Sequence, residues 1–394
     1  MDVIFISRRG SMYKYFRYLS ANLNLNTRVF DFSLWSYFGS KKMDLTEDEV
    51  QQGIKFHLHR KQIKHDFPAW CWLIIERYYG FKYRLIHRRF CRLFRFHKPA
   101  CIAIFNGYRL PEQAIKNLAG KLSIPVIHFE NGLLPNTTTF DLNGVNAHNS
   151  VPRNIEFYIN YRMPRANPKL SSTKLVQRKF HRLKKSYSQQ SDFHHPLPKK
   201  FIFVPFQVLF DSQVLLNSPN IANMHELYGW IEFTASRCSD STIQFVLKEH
   251  PSDPHRYKDL HFRNPRIIFS NKGTQELVEQ SQAVITINSS VGLESLLLGK
   301  RVFVLGEACY AIEGMTKPIQ SKQKLLKRVN QLDSWQLDLP LVEKFLSYLK
   351  VDYCVRGSWR TPDQRHLEEV HRRFSDIVSQ SPAITANDAI IIGA

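Results

Sequence analysis

Short apolar runs alternate with segments of helical periodicity along most of the chain. Buried strands are predicted by the apolar runs Val3–Ile6, Cys101–Phe105, 201–206, Gln244–Lys248 and 302–305. Helices are predicted between such runs, for example over 111–121, 221–237 and 274–280. This alternation indicates parallel, doubly wound sheets, whose ligands bind beyond the carboxyl ends of the strands.

One strand–turn–helix–strand unit is especially clear, at residues 283–305. The apolar run 283–287 ends at Asn288-Ser289-Ser290, and a helical pattern follows until Gly299. Serine at a helix start caps backbone N–H groups, and the same N–H groups with the helix dipole can bind an anion. From the serines alone, a capped helix and an anion site both remain open.

Polar side chains follow three further predicted strands. Glu130 follows the strand 126–129, and Asp211 lies in the loop past 201–206. Lys248 and His250 end another strand, where Pro251 holds His250 extended and alternation puts Lys248 on the same side. The alternatives are a helix cap for Glu130, a helix cap or surface group for Asp211, a solvated strand-end side chain for Lys248, and a histidine satisfied inside the strand-end turn for His250. The polar segment 133–150 is expected to be a long loop that can bind sugar hydroxyls.

Residues 56–98 interleave many basic and aromatic side chains, with only Asp66 and Glu76 as acids. This pattern predicts one or two amphipathic helices with a basic face. Such helices can lie on an anionic membrane, bind nucleic acid, or simply pack their aromatic side chains inward. Residues 163–199 are expected to form a basic linker, and 342–350 and 362–380 to form helices, while the tail 382–394 has no assignable role.

Length, composition, net charge and cysteine content narrow the class of protein. The chain has 394 residues, 43% of them hydrophobic, and a formal net charge of +21, which favours anionic partners. Six scattered cysteines without a CxxC motif fit a reduced, cytosolic setting. We expect neither a signal peptide nor a membrane-spanning helix. We also expect no metal site, because the sequence contains no Asp-x-Asp pair and no His/Cys cluster.

Several of these motifs also occur together in one order. They are Glu130-Asn131-Gly132, Gln207…Asp211, Lys248-Glu249-His250-Pro251, Asn288-Ser289-Ser290-Val291-Gly292-Leu293-Glu294 and Gly306…Tyr310. In this order they resemble the bacterial capsule polysaccharide biosynthesis family, the KpsS/KpsC-type β-Kdo transferases. Segment 129–149 is most similar to the KpsS (LipB) branch. The resemblance covers about residues 100–320, and the first 100 residues only in architecture.

The resemblance implies a GT-B-like α/β fold with two Rossmann-like, doubly wound parallel-sheet domains that face a cleft. Residues 1–195 would be the acceptor domain, with 56–98 as a helical insertion. Residues 196–352 would be the nucleotide-sugar domain. Residues 353–394 would supply a helix that packs back toward the N-terminal domain, and the tail.

The resemblance also implies a reaction. The enzyme would transfer Kdo from CMP-Kdo with retention of configuration, adding the first Kdo of the capsule poly-Kdo linker to (lyso)phosphatidylglycerol. It would act as a peripheral protein on the cytoplasmic face of the membrane and use CMP-Kdo as a donor substrate, with no cofactor. The anionic membrane surface is an expected partner, and other capsule biosynthesis proteins are further candidates.

Residue roles follow from the same resemblance. Asp211 would be the nucleophile of a double displacement, and Glu130 the acid/base for the acceptor hydroxyl, with Asn131 in place of a second acid seen in related motifs. His250 would contact the phosphate or donor carboxylate, or protonate the leaving group. The remaining donor-binding candidates are Lys248, Ser289 and Ser290 for phosphate, Glu294 for ribose or cytosine, and Tyr310 for the base or sugar pocket.

Three alternatives remain open. The first is a CMP-sialic acid-dependent transferase, which shares the CMP and the donor carboxylate. The second is a non-catalytic component of capsule export or lipid binding, in which Asp211 and Glu130 are dispensable. The third is an RNA-binding protein, which charge alone suggests. Because RNA-recognition motifs are missing from the sequence, nucleic acid is not an expected partner.

Overall fold

The computed structural model describes residues 1–32, 45–164 and 196–380. These residues belong to two compact units. The first contains Met1–Gly132, Asn136–Ser150 and the residues from Cys354 onward, and the second contains Leu133–Pro135 and Val151–Tyr353. Most of the predicted linker 163–199 and the tail 382–394 lie outside the described residues.

The first unit is built on a six-stranded sheet. Its strands are β1 (Val3–Ile6), β2 (Thr27–Phe30), β3 (Cys101–Phe105), β4 (Val126–Asn131), β5 (Thr137–Asp141) and β12 (Val355–Arg356), in the order β12-β5-β4-β3-β1-β2. Strands β1 to β4 are parallel, and β5 and β12 add an antiparallel edge. The carboxyl ends of β3 and β4 therefore lie side by side.

Helices cover both faces of this sheet. They are α1 (Ser11–Asn22), α2 (Glu47–Lys64), α3 (Ala69–His97), α4 (Glu112–Lys121) and α12 (Gln364–Gln380). Phe16 of α1 and Phe374 of α12 share one core, and α2, α3 and α4 form the other. Phe374 of α12 lies against Phe5 and Phe140, so the last described helix completes the core of the first unit.

The second unit repeats this architecture with an all-parallel sheet. Its strands are β6 (Phe201–Pro205), β7 (Gln244–Lys248), β8 (Ile267–Phe269), β9 (Ala283–Thr286), β10 (Arg301–Val304) and β11 (Lys317–Pro318), in the order β11-β10-β9-β6-β7-β8. Its helices are α5 (Ile155–Asn160), α6 (Ser212–Asn217), α7 (Met224–Arg237), α8 (Thr274–Gln280), α9 (Ser290–Leu297), α10 (Lys322–Asn330) and α11 (Leu339–Tyr348). Two Rossmann-like parallel-sheet units confirm the predicted α/β fold class.

The boundary between the units differs from the predicted domain boundary at 195. Helix α5 belongs to the second unit, because Tyr158 packs edge-on against Phe345 of α11, with ring centroids 5.2 Å apart. The Tyr161 hydroxyl also donates to Asp352 over 2.6 Å. Aromatic packing thus joins residues 151–161 to the second unit.

The predicted loop 133–150 is wrong in part, because it contains strand β5. Thr137–Asp141 pairs antiparallel with β4, and Thr138 is fully buried. Three consecutive β-branched threonines suit a strand although they are polar. The remainder is held by Asp141, whose carboxylate accepts from the backbone N–H groups of Asn143 and Ser150 over 2.7 and 2.8 Å.

The predicted helical region 56–98 is confirmed as parts of α2 and α3. Helix α2 begins earlier, where Thr46 and Glu49 form a reciprocal capping box. Within the described ranges, no helix has the length and apolar character needed to cross a bilayer.

Candidate active site

Three adjacent parallel strands of the second unit end in the predicted site residues. Strand β6 lies between β9 and β7. Asp211 follows β6, Lys248 and His250 lie at the end of β7, and Ser289 and Ser290 follow β9. Since parallel strands present their carboxyl ends at one edge, the fold gathers these side chains at the position where doubly wound sheets bind ligands.

Asp211 is the N-cap of helix α6. Its Oδ1 accepts from the backbone N–H of Gln213 over 3.1 Å and from the Ser212 hydroxyl over 3.4 Å. Within the described part of the chain, Oδ2 accepts no hydrogen bond. The side chain is half-buried. The carboxylate is therefore oriented through one oxygen, and the other is available for chemistry.

The loop that carries Asp211 is fixed to the entrance of α9 by Gln207 and Asn288. The Gln207 side-chain amide donates to Asn288 Oδ1 over 3.0 Å, and the Asn288 backbone N–H donates to Gln207 Oε1 over 3.2 Å. The Asn288 amide also donates to the carbonyls of Gln213 and Asn217, each over 2.9 Å. Neither residue was predicted to have a role, although both open the motifs that carry Asp211 and the serines.

Asp253 fastens the same loop from the β7 side. Its carboxylate accepts from the Tyr257 hydroxyl over 2.9 Å and from the Leu209 backbone N–H over 3.4 Å. Asp253 is only 2% exposed. Burial and the neighbouring Asp253 raise the pKa of Tyr257, so this phenol stays protonated as the donor. No motif in the sequence pointed to Asp253.

The protonation pattern of His250 follows from one hydrogen bond. The Ser252 backbone N–H donates to His250 Nδ1 over 3.1 Å. A ring nitrogen that accepts carries no proton, so the neutral ring has its proton on Nε2. A neutral His250 ring is therefore an acceptor through Nδ1 and a donor through Nε2. This pattern favours anion binding over proton delivery, because the neutral ring would become an imidazolate if it gave up its only proton.

Lys248 and Glu249 diverge at the end of β7, as strand alternation requires. The Lys248 ammonium donates to the carbonyl of Lys272. Burial lowers the pKa of Lys248, and Glu276 opposes that effect. Glu249 accepts from the Tyr257 backbone N–H over 3.1 Å and supports the loop after β7. In this structure the Lys248 side chain therefore stabilises the loop that follows β8.

The two serines occupy the start of α9, as predicted. Ser289 is the N-cap and accepts from the Val291 backbone N–H over 3.2 Å. The Ser290 hydroxyl donates to Glu294 Oε1 over 3.3 Å. Both serines are half-buried. The N-terminal end of α9 therefore presents two hydroxyl groups and the positive end of the helix dipole at the edge of the sheet, whereas the Val291 and Gly292 N–H groups donate to Ser289.

Tyr310 is a buried support of the same turn. It is 3% exposed, and its hydroxyl donates to the Ser289 carbonyl. A Cβ atom at Gly292 would lie 2.5 Å from its hydroxyl oxygen, so the first turn of α9 approaches the ring closely. Burial strongly raises the pKa of Tyr310, which keeps the phenol a donor.

Glu130 lies in the first unit, near the carboxyl end of β4. Its Oε2 accepts from the Asn106 side-chain amide over 3.0 Å, and its Oε1 accepts from the Asn131 backbone N–H over 2.9 Å. Each carboxylate oxygen retains a lone pair for another hydrogen. Asn106 has a left-handed φ of 63°, which asparagine tolerates and which ends β3 sharply.

Tight packing supports the loop that holds Glu130. The His128 ring donates from Nδ1 to the Asn106 carbonyl over 2.9 Å, since a carbonyl can only accept. Gly107 has φ 103°, and a Cβ there would lie 2.8 Å from His128 Cε1. Burial lowers the pKa of His128 to about 4, so the ring is neutral at physiological pH. The loop after β3 is thus built around a glycine and a neutral histidine.

The structure brings seven of the eight predicted site residues to the second unit and places Glu130 in the first. Across residues 1–32, 45–164 and 196–380, no group of three or more His, Cys, Asp or Glu side chains is arranged to hold a metal ion. What the second unit offers is a cluster of a carboxylate, an imidazole N–H donor and a helix N-terminus.

One family model matches more than half of the chain. The model of the family described as "Capsule polysaccharide biosynthesis protein" matches residues 100–191 and 164–339. "Protein FixF" of Sinorhizobium fredii is 34% identical over 268 residues, which cover 66% of this chain and 61% of that protein. The chain thus spans less than two thirds of that relative. "Capsule polysaccharide export protein KpsS" of Escherichia coli is 26% identical, over 74% of this chain and 82% of that protein.

Solved structures with related architecture include a β-Kdo 2,7 transferase, KpsC of Thermosulfurimonas dismutans. It has 14% sequence identity and a TM-score of 0.48, and the match covers 96% of this chain and 99% of that one. The UDP-GlcNAc 2-epimerase of Neisseria meningitidis has 13% identity and a TM-score of 0.39, with 95% and 100% coverage.

Proposed function

The chain belongs to the capsule polysaccharide biosynthesis family, and from this premise we propose that it is a retaining β-Kdo transferase that uses CMP-Kdo. One observation carries the proposal: Asp211, His250 and Ser289 follow three adjacent strands at one edge of the second unit. A carboxylate beside an anion site is what transfer of a sugar from a nucleotide requires.

In the first displacement, Asp211 Oδ2 attacks the anomeric carbon of Kdo. The bond from that carbon to the phosphate oxygen breaks, and CMP leaves with the electron pair as a phosphate monoester. The support is that Oδ1 is held by the start of α6 while Oδ2 accepts no hydrogen bond from the described residues. The product of this step is a Kdo ester of Asp211 with inverted configuration.

The departing phosphate gains negative charge, which hydrogen-bond donors stabilise. His250 supplies Nε2–H, and the first turn of α9 supplies the Ser289 and Ser290 hydroxyls together with the positive end of the helix dipole. Glu294, one turn further on, is assigned to a ribose hydroxyl or the cytosine amino group. Lys248 adds positive charge at the end of β7. Tyr310 stabilises the turn at Ser289 and Ser290 through the hydrogen bond from its hydroxyl to the Ser289 carbonyl.

In the second displacement, Glu130 takes the proton of the acceptor hydroxyl. The acceptor oxygen attacks the anomeric carbon, the ester bond breaks, and the Asp211 carboxylate is regenerated. Two inversions give net retention. The support for Glu130 is its fixed position, since Asn106 and the Asn131 N–H hold both oxygens and leave room for a further hydrogen.

The proposed acceptor is (lyso)phosphatidylglycerol at the cytoplasmic face of the membrane, and the product is the first unit of a capsule poly-Kdo linker. The net charge of +21 favours an anionic lipid surface. The protein is accordingly proposed to be peripheral, to need no cofactor and to meet other capsule proteins at this surface.

A second candidate is a non-catalytic component of capsule export. The name of the E. coli relative, a capsule polysaccharide export protein, favours it. The two candidates differ in one consequence. An export component would keep its role when the Asp211 and Glu130 carboxylates are replaced by amides, whereas a transferase would lose its reaction.

Transfer is tested by incubating the purified protein with CMP-Kdo generated in situ and a fluorescent lysophosphatidylglycerol. We expect mass spectrometry to find a product heavier by one Kdo, which disappears with Asp211→Asn and Glu130→Gln. Asp338→Asn is a matched control, because Asp338 also caps a helix of the same unit. Asparagine caps a helix as effectively as aspartate does, so Asp211→Asn and Asp338→Asn both preserve the start of their helix.

The outcomes separate the candidates. If CMP stabilises the protein against heat but CMP-sialic acid is the donor that reacts, the Kdo assignment is wrong and the fold of the site stands. If neither donor reacts and CMP does not bind, the transferase proposal fails. Activity that survives Asp211→Asn would exclude Asp211 as the nucleophile.

A further inference from the structure

We propose that helix α3 docks the protein on an anionic phospholipid bilayer through a defined apolar stripe. This α3 stripe consists of Trp70, Leu73, Ile74, Tyr78 and Phe81, which are 64, 60, 58, 56 and 62% exposed. Their spacing of three and four residues places all five on one side of the helix. This docking role rests on the proposed function, because the phospholipid acceptor is part of that function.

Folding does not account for this stripe. The fully buried residues of α3 begin at Gly80, and Tyr83, Phe90 and Phe94 fill the core of the first unit. These residues lie on the side opposite the α3 stripe. The first half of the helix therefore projects past the core and shows large apolar side chains to solvent. Contiguous exposed apolar side chains mark interaction sites.

The charge around the stripe fits an anionic lipid. Helix α3 contains seven Lys or Arg residues and one acid, Glu76. By helical spacing, Arg77 lies within the stripe, and Arg88, Arg92 and Arg95 continue the same side toward the C-terminal end. An apolar face with Trp and Tyr, bordered by arginines, is typical of helices that lie in the headgroup region.

The α3 stripe belongs to the same unit as Glu130, and contacts connect the two. Phe56 of α2 packs edge-on against Tyr108, with ring centroids 6.4 Å apart. The Tyr108 backbone N–H donates to Asn106 Oδ1 over 3.2 Å, and the Asn106 amide holds Glu130. Helix α2, which shares a core with α3, thus adjoins the loop that positions the proposed acid/base. A docked α3 would bring lipid headgroups to the unit that activates the acceptor.

A second copy of this chain fits the surface less well. A symmetric pairing of two copies through the stripe would bring their positively charged Arg77 side chains close together. Nucleic acid would use the arginines but leave the five apolar side chains in water. A bilayer satisfies both features, because its headgroups are anionic and its acyl region takes up apolar side chains.

The test is co-sedimentation of the full chain with vesicles of phosphatidylcholine alone or mixed with phosphatidylglycerol. We expect binding to be about tenfold stronger with phosphatidylglycerol and to weaken with salt. The variant Trp70→Ala/Ile74→Ala/Phe81→Ala should lose about tenfold in affinity for the mixed vesicles. Alanine favours helix, so circular dichroism should show α3 intact.

A matched single-residue pair sharpens the test. Phe262 is 81% exposed but lies in the second unit. Phe262→Ala should leave vesicle binding unchanged, whereas Phe81→Ala should weaken it. Light scattering after size exclusion reports whether the stripe instead joins two copies.

Equal binding by the triple variant and the wild type would overturn the proposal. So would a dimer that the triple variant converts to a monomer, or binding to RNA that the same variant abolishes. The measurement uses no donor and no turnover. Vesicle binding without Kdo transfer would therefore contradict the proposed function alone, and transfer without vesicle binding would contradict this inference alone.

Discussion

Gln207 and Asn288 form two hydrogen bonds with each other although they lie 81 residues apart in the sequence. The Gln207 side-chain amide donates to Asn288 Oδ1, and the Asn288 backbone N–H donates to Gln207 Oε1. The pair joins the loop of the proposed nucleophile to the turn that would hold the phosphate. The Asp211 carboxylate and the start of α9 are consequently parts of one rigid assembly. Preorganisation of this kind lowers the cost of reaching the transition state.

Asn288→Asp is expected to be more harmful than Asn288→Ala. The Asn288 amide donates to the carbonyls of Gln213 and Asn217, and a carboxylate there would face two acceptors inside a buried site. We expect a loss of about 1–3 kcal/mol for alanine and more for aspartate. Thermal unfolding and the rate of CMP release measure both effects. Equal midpoints for the two variants would contradict the hydrogen-bond assignment.

Substitutions of His250 separate its two nitrogens. His250→Asn can still accept from the Ser252 N–H but loses the distal donor, whereas His250→Gln extends an amide donor toward the Nε2 position. We expect glutamine to retain more transferase activity than asparagine, with the defect mainly in donor binding. The comparison of kcat and KM for CMP-Kdo checks this. Retention of activity by asparagine would show that Nε2 has no contact with the donor.

Gly292→Ala should destabilise the protein because its Cβ would lie 2.5 Å from the Tyr310 hydroxyl oxygen inside the core. Gly229→Ala is the matched control, since that helical glycine has no heavy atom within 4 Å of a Cβ. It should be neutral or stabilising by about 1 kcal/mol. Differential scanning calorimetry should therefore show a lower unfolding temperature for Gly292→Ala and an unchanged or higher one for Gly229→Ala. If the unfolding temperature of Gly292→Ala does not fall, the contact with Tyr310 is relieved at little cost.

Stability should fall with acid through His128. Burial lowers the folded-state pKa of His128 from 6.5 to about 4. The unfolded chain therefore takes up the proton first, so this contribution is complete above about pH 6.5 and is lost toward pH 4. The loss between pH 7 and pH 5 should be on the order of 2 kcal/mol.

His128→Asn provides the check on that prediction. Asparagine can place an amide donor near the Nδ1 position and keep the bond to the Asn106 carbonyl, but it does not titrate. The difference in thermal midpoint between pH 7 and pH 5 should shrink in this variant. His57 and His87, whose pKa values burial also lowers to about 4, should maintain part of the pH dependence. If the difference in thermal midpoint between pH 7 and pH 5 is the same in His128→Asn as in the wild type, His128 does not cause the loss of stability in acid.

Much of the fold was predictable because apolar runs mark buried strands. Strands β1, β3 and β7 and helix α8 have the predicted bounds. Strand β5 escaped prediction because its Thr-rich sequence is polar, and only pairing with β4 reveals its burial. The place of α5 in the second unit depends on ring contacts with α11, which local periodicity does not encode.

The site was predictable at the level of strand ends and less so at the level of contacts. Motif order pointed to Asp211, His250 and the two serines, which the fold places after adjacent strands. The roles of Asn288 and Asp253 in holding these loops were not predictable, because each residue bonds a partner that is distant in the chain. The burial of Tyr310 likewise depends on tertiary packing.

The most direct test of the central claim is the intact mass of Glu130→Gln after incubation with CMP-Kdo. Without the base the second displacement should stall, so we predict one equivalent of released CMP and a protein heavier by one Kdo residue. Peptide mapping should place the adduct on Asp211, and Asp211→Asn/Glu130→Gln should form none. An adduct on another residue, or full transfer by Asp211→Asn without any adduct, would contradict the account.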